Sequence, residues 1–181
     1  MSKTIIVCGA TNTGTSLIAG TLQILGVPMG ASKTDYCFED LRFAKPFFDK
    51  SMLVAVQDNN NNYKVWGWKF PFMRNWFEQV YPALQNPMFI YCIRDSIERA
   101  KQKPEKYNNP TMFNELAEES AFWESFFFFN KLKPLVIEFG MDKGVLFNKL
   151  CSFLSIEPTK EQLELYSQFN NPNKGYSLLT R

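Results

Sequence analysis

The residues best suited to chemistry in this chain begin at Gly9. The run Gly9-Ala10-Thr11-Asn12-Thr13-Gly14-Thr15-Ser16 has the two-glycine spacing of a loop that curls backbone N–H groups around a phosphate at a helix N-terminus. A nucleoside triphosphatase or kinase needs lysine directly after the second glycine to meet the β and γ phosphates, and this chain has Thr15 there. What remains, hydroxyls at Thr13, Thr15 and Ser16, suits a loop that grips a single 5′-phosphate; the same spacing also occurs in ordinary Gly/Thr-rich strand-to-helix turns. A second group is Arg94-Asp95, just past the apolar run Met88 to Ile93, at the strand end where open α/β sheets bind ligands. It reads as an anion clamp or as a strand-end ion pair. Lys69 closes another strand-like run, Lys64 to Trp68, either facing a ligand or as a solvated terminus. Glu39 and Asp40 are the carboxylates that follow the first helix. Glu39 reads as an acid placed in a helix first turn, where its charge favours the dipole.

Absences narrow the chemistry further. The chain has no histidine, which removes the commonest general base and every Ser-His-Asp or Cys-His arrangement. Its four cysteines, Cys8, Cys37, Cys92 and Cys151, form no C-x-x-C pair, so no zinc or other metal site is expected. Cys8 and Cys92 fall in strand-like runs and read as small buried apolar side chains. Net charge is +2 with both signs interspersed, so no basic stripe for nucleic acid is present and any anion site is local.

These residues need a frame to hold them. Strands are expected at Thr4 to Cys8, Lys64 to Trp68, Met88 to Ile93 and Leu135 to Phe139. Helices are expected at Thr15 to Leu25, Glu39 to Val56, Arg74 to Leu84, Ser96 to Lys103, Thr111 to Lys133, Val145 to Leu154 and Thr159 to Phe169. Asp58 and Asn59 to Asn62 read as a polar turn, and the aromatics Phe122, Trp123, Phe126, Phe127 and Phe129 as the buried side of the long helix. Alternating strand and helix predicts an α/β fold with a parallel sheet, and 181 residues suit one domain over residues 1–181. With 45% hydrophobic residues and 18 Phe there is apolar material to cover both sheet faces. Met1 runs almost directly into the first strand and no later apolar run approaches a membrane span. The expectation is a cytoplasmic protein with reduced thiols and no membrane partner.

Taken in order, these segments resemble the sulfotransferase family, in particular its short bacterial and phage-type members, over roughly Lys3 to Gln168. Gly9 to Ser16 is similar to the family's 5′-phosphosulfate loop, G-x-x-[R/K]-[S/T]-G-T-[S/T], and Tyr36-Cys37-Phe38-Glu39-Asp40 to its aromatic-Glu-Asp segment. Trp66 to Phe72 resembles the Lys-Asp-Pro strand end, and Phe89 to Asp95 the strand and Arg-Asp of the 3′-phosphate motif. Val136-Ile137-Glu138-Phe139 and Cys151 to Ile156 resemble the Tyr-Glu and Phe-Leu-Gly stretches.

The resemblance implies a three-layer α/β/α fold of the P-loop-like kind. It also implies transfer of a sulfuryl group from 3′-phosphoadenosine 5′-phosphosulfate to a hydroxyl or amine, without a metal. Thr11, Asn12, Thr13, Gly14, Thr15 and Ser16 would hold the 5′-phosphosulfate, Arg94 would clamp the 3′-phosphate, and Lys69 would face the sulfuryl group. Glu39 first and Asp40 second would take the acceptor's proton. Asn12 stands where the family has Arg or Lys, Gln102 where it has the 3′-phosphate serine, with Ser96, Lys101 and Lys103 nearby, and Phe70 where it has Asp. Two alternatives accompany this reading: a non-catalytic nucleotide-binding protein on the same scaffold, and a kinase with a degenerate phosphate loop that depends on ATP and magnesium. Acceptor identity and oligomeric state are not encoded in these motifs.

Overall fold

The computed structural model describes residues 1–30, 38–95 and 110–169. Four strands build one sheet: β1 (Lys3–Cys8), β2 (Val65–Lys69), β3 (Pro87–Ile93) and β4 (Leu135–Glu138), all parallel, in the order β2-β1-β3-β4. Between them run α1 (Thr15–Ile24), α2 (Ser51–Asn62), the short α3 (Phe77–Val80), and α4 (Pro110–Phe129); α5 (Lys143–Leu154) and α6 (Lys160–Phe169) follow β4. The register sets Val7 beside Lys69, Cys8 beside Tyr91 and Ile93 beside Glu138, so the C-terminal ends of the strands line up along one edge.

Successive strand residues point to opposite faces, and each face has its own core. Ile5, Val7, Ile90, Cys92 and Ile137 pack under α1, α5 and α6, with Ile18, Leu22, Leu146 and Phe169 among them. Ile6, Cys8, Trp66, Trp68, Phe89 and Tyr91 pack on the other face against Met52, Phe77, Trp123 and Phe126 of α2, α3 and α4. Burial on both faces explains why these strands read as unbroken apolar runs. Among the described residues, no helix is long and apolar enough to cross a membrane.

Four expectations are corrected. Helix does not run from Glu39 to Val56: 39–50 is irregular and α2 begins only at Ser51. Pro46 cannot donate a helical N–H, and Asp40 and Asp49 draw nearby backbone N–H groups to their carboxylates, at Arg42 (3.0 Å) and Ser51 (2.7 Å). The Asn59–Asn62 tract is not a turn but the last turn of α2. Its side chains find tertiary partners: Asn59 Oδ1 accepts from Arg42 and Asn60 Oδ1 from Trp66 Nε1, both at 3.0 Å. The stretch Arg74 to Leu84 breaks into a 3₁₀ turn (Met73–Asn75), α3 and a second 3₁₀ turn (Tyr81–Ala83) that carries Pro82 near its start. The long aromatic helix ends at Phe129, and Phe128 and Phe129 lie exposed, so Phe129 is not part of the core that Trp123, Phe126 and Phe127 form. The helix expected at Ser96 to Lys103 lies outside the described residues.

The irregular 39–50 stretch is nonetheless anchored. Phe43 is fully buried and stacks on Trp68 at 4.7 Å between centroids, with Trp66 and Trp76 at 6.2 and 6.3 Å. Trp76 Nε1 donates to the Lys45 carbonyl at 2.9 Å. This stitching fixes the chain that carries Glu39 across the β2 edge.

Candidate anion and group-transfer site

The loop after β1 is shaped by two glycines. Gly9 has φ 139°, and a Cβ there would come within 2.3 Å of the Cys92 carbonyl oxygen, so only glycine lets the end of β1 lie this close to β3. Gly14 has φ 92° and stands as the N-cap of α1, with the Phe139 ring where its side chain would be, at 3.1 Å. Asn12 is also left-handed, φ 64°. Thr13, between them, donates its hydroxyl to the Ala10 carbonyl at 2.7 Å and its N–H to the same oxygen at 3.3 Å. That closes the turn and commits the Thr13 hydroxyl proton inside the loop, away from any ligand. Gly14 offers α1 no capping side chain, and the first N–H groups of a helix have no partner within it, a geometry whose partial positive charge favours an anion over a cation. Thr15 is buried and Ser16 partly buried in that first turn.

Arg94, at the end of β3, bridges to the loop. Its Nη1 donates to the Asn12 carbonyl at 3.3 Å, and its guanidinium carbon lies 3.8 Å from the centre of the Phe139 ring. Phe139 follows β4, and its N–H donates to the Ile93 carbonyl at 2.8 Å. The guanidinium is thus held against an aromatic face beside the α1 N-terminus.

Lys69, the last residue of β2, has a side chain only 5% exposed, and its Nζ meets Glu39 Oε1 at 2.5 Å; the Glu39 side chain is 19% exposed. Two residues far apart in sequence are therefore one pair. Asp40 is differently placed. Its buried carboxylate takes the Arg42 guanidinium through both oxygens, Nε to Oδ1 at 2.9 Å and Nη2 to Oδ2 at 2.5 Å, and so clasps the backbone instead of facing a ligand. Burial pushes the Cys92 thiol up to about 12 despite the nearby Lys69 charge, and the Cys8 thiol is raised as well, so neither offers a thiolate near neutral pH. Gln102, with Ser96, Lys101, Lys103, Tyr36 and Cys37, lies outside the described residues.

Two features escape a reading of the sequence alone. A cavity of about 450 Å³ opens beside the loop, lined by Leu17, Ile137, Phe139, Met141 and Leu146 with Thr13 and Lys143 at its polar margins. The other is Glu119, on α4, only 3% exposed. Its Oε1 accepts from Trp123 Nε1 at 2.8 Å, while Arg74 Nε stands 3.5 Å from Oε2. Burial pushes this carboxyl up to about 7, against the opposing pull of the Trp123 hydrogen bond and the Arg74 charge. Its signal in the sequence is an acid on the same helical stripe as Leu116, Trp123 and Phe126. Among the described residues, no group of three or more Cys, Asp or Glu is gathered as a metal site would need. No protein-family model matches this chain, and no curated protein matches it.

Proposed function

We propose that this chain is a sulfotransferase on a P-loop-like scaffold, moving a sulfuryl group from 3′-phosphoadenosine 5′-phosphosulfate to a hydroxyl or amine acceptor. One observation carries the reading. At the C-terminal ends of three adjacent parallel strands stand an anion-ready helix N-terminus after β1, a buried Lys69–Glu39 pair at the end of β2, and Arg94 after β3. The chain passes from β1 out to β2 and back across to β3, so β1 and β3 flank the point where the strand order reverses, the favoured ligand crevice of such sheets.

In this reading the N–H groups from Gly14 to Ser16 hold the 5′-phosphosulfate with the Thr15 and Ser16 hydroxyls, and Thr11, Asn12 and Thr13 shape the turn. Arg94 takes the 3′-phosphate, and the adjoining cavity is of a size to take the base. Lys69 supplies from the neighbouring strand the cation that the loop lacks, and neutralises the bridging oxygen as the S–O bond breaks. Glu39 keeps that ammonium in place until the nucleotide arrives.

A second reading, binding without turnover, is favoured by the neutral Asn12 and by the engagement of Lys69 with Glu39. A kinase has no loop lysine here to carry it. Calorimetric titration with 3′-phosphoadenosine 5′-phosphate, beside ATP with magnesium, separates the three. Micromolar binding of the bisphosphate that Arg94→Ala abolishes supports the nucleotide site, and turnover of the phosphosulfate then separates enzyme from binder. Binding of ATP with magnesium alone, or of neither nucleotide, refutes both sulfotransferase-type readings.

A further inference from the structure

At the end of α4 two aromatic rings leave the core. Trp123, Phe126 and Phe127 fill the buried side of the helix, and the next two positions turn outward: Phe128 is 77% and Phe129 78% exposed, their rings edge to face on each other at 5.5 Å. The backbone fixes this exposure. Lys131 is left-handed, φ 53°, and the Leu132 N–H returns to the Phe127 carbonyl at 2.9 Å, so Leu132, and neither ring, closes the helix against the core. Single exposed apolar side chains are ordinary, whereas a contiguous pair of rings held outward is the kind of feature that marks an interaction surface.

The charge around the pair has one sign. In a parallel sheet the chain enters every strand at the same edge, and the segments that lead into β1, β2, β3 and β4 are residues 1–3, 63–64, 84–86 and 130–134. Lys3, Lys64, Lys131 and Lys133 are exposed in them, and none of these segments contains a carboxylate. Three of the segments are tied together: the Lys3 N–H donates to the Lys64 carbonyl at 2.8 Å, and Asn86 Nδ2 to the Ser2 carbonyl at 2.9 Å. The carboxylate nearest in sequence to the rings, Glu124, lies a turn back along α4, where the Tyr91 hydroxyl meets it at 3.4 Å.

Protruding rings flanked by lysines match the chemistry of an anionic lipid surface, in which the rings enter the headgroup boundary and the ammonium groups meet lipid phosphates and carboxylates. A peptide is held instead by a groove or a sheet edge, and this pair projects from a helix end. We propose that the edge of the sheet opposite the candidate site docks on an anionic lipid surface, led by Phe128 and Phe129 with Lys131 and Lys133 beside them. Such a contact needs no spanning helix, and the expectation of no membrane partner rests on the lack of a span. Docked in this way, the strand ends that carry Lys69 and Arg94 face away from the lipid, so the surface is independent of the chemistry at the other edge.

The test is co-sedimentation of the full chain with vesicles of phosphatidylcholine alone and of phosphatidylcholine mixed with phosphatidylserine, at about 0.1 M and about 1 M salt, which bracket weak and strong screening. The wild type is compared with Phe128→Ser/Phe129→Ser, with Lys131→Glu/Lys133→Glu, and with Phe47→Ser, a control whose ring is 74% exposed in the stretch leading to α2, at the opposite edge. Thermal melting and, by light scattering, oligomeric state are measured on the same samples; the changed positions are exposed, so all are expected to melt alike. The wild type and Phe47→Ser are expected to bind the serine-containing vesicles at low salt and to leave them at high salt. The ring variant loses about 10-fold or more in partition, and the charge variant about 30-fold or more. No binding to the mixed vesicles overturns the proposal, as does equal binding to both vesicle types. Binding that both double variants retain places the lipid contact elsewhere and overturns it too. A wild-type dimer that Phe128→Ser/Phe129→Ser splits, with no lipid binding, makes the pair a contact between copies of this chain instead.

Discussion

Replacing Glu119 by Gln isolates the cost of burying a carboxylate in an aromatic core. Folding moves this carboxyl from an ordinary value of 4.5 to about 7, so the folded state binds the proton more tightly than the unfolded chain does. The sign follows: below 4.5 the group is neutral in both states and costs nothing as a charge. Between 4.5 and 7 the unfolded chain gives up the proton while the folded protein keeps it, and stability falls as pH rises; above 7 the loss is complete. At about 1.4 kcal/mol per unit, that displacement corresponds to about 3 kcal/mol. Glutamine is neutral at every pH, and its Oε1 still accepts from Trp123. It gives up only the loose Arg74 attraction at 3.5 Å. Glu119→Gln is therefore expected to match the wild type within about 1 kcal/mol at pH 5 and to exceed it by about 2 kcal/mol at pH 8. Urea unfolding followed by tryptophan fluorescence reads this directly, because Trp66, Trp68, Trp76 and Trp123 are all buried. A difference between variant and wild type that does not change with pH, or a variant less stable at pH 8, refutes the reasoning.

Three other perturbations test the frame around the site. Gly9→Ala places a methyl 2.3 Å from the Cys92 carbonyl oxygen at a φ that side chains avoid, and is expected to cost at least about 2 kcal/mol in urea unfolding and to weaken bisphosphate binding. Phe43→Ala removes the ring that stacks on Trp68, with an expected loss of about 3–5 kcal/mol and a shift in tryptophan emission. Glu39→Gln leaves the Lys69 ammonium nearly buried without its carboxylate and is expected to cost about 2–4 kcal/mol, whereas Lys69→Met, which leaves the more exposed partner charged, costs less; a double-mutant cycle by denaturation checks the order.

The parts legible in the sequence are those governed by local patterns. Thr4 to Cys8 and Met88 to Ile93 are apolar throughout because both faces of their strands are covered, and the spacing of Gly9 and Gly14 follows from one local backbone path. The parts not legible depend on distant partners. Glu39 to Val56 has helical composition, yet Pro46 and the Asp40–Arg42 clasp break it, and the site that Phe43 fills is built by three tryptophans from other segments. The Asn59–Asn62 tract looks like a turn until Arg42 and Trp66 occupy its amides. Glu39 and Lys69 were each visible as charged residues, but their pairing was not. Phe139 gave no signal, because nothing in a strand-end aromatic announces that an arginine from the adjacent strand will lie across it.

The close approach of Gly9 to the Cys92 carbonyl and the bond from Arg94 to the Asn12 carbonyl join the loop to the end of β3 at two places. In the proposed reading the two anion contacts are the N-terminus of α1 and the Arg94 guanidinium, and the bond from that guanidinium to the Asn12 carbonyl ties the second contact to the loop that carries the first. A ligand whose charges were set too close together would reach only one of them and gain little from the other, so selection by length would follow from this tether.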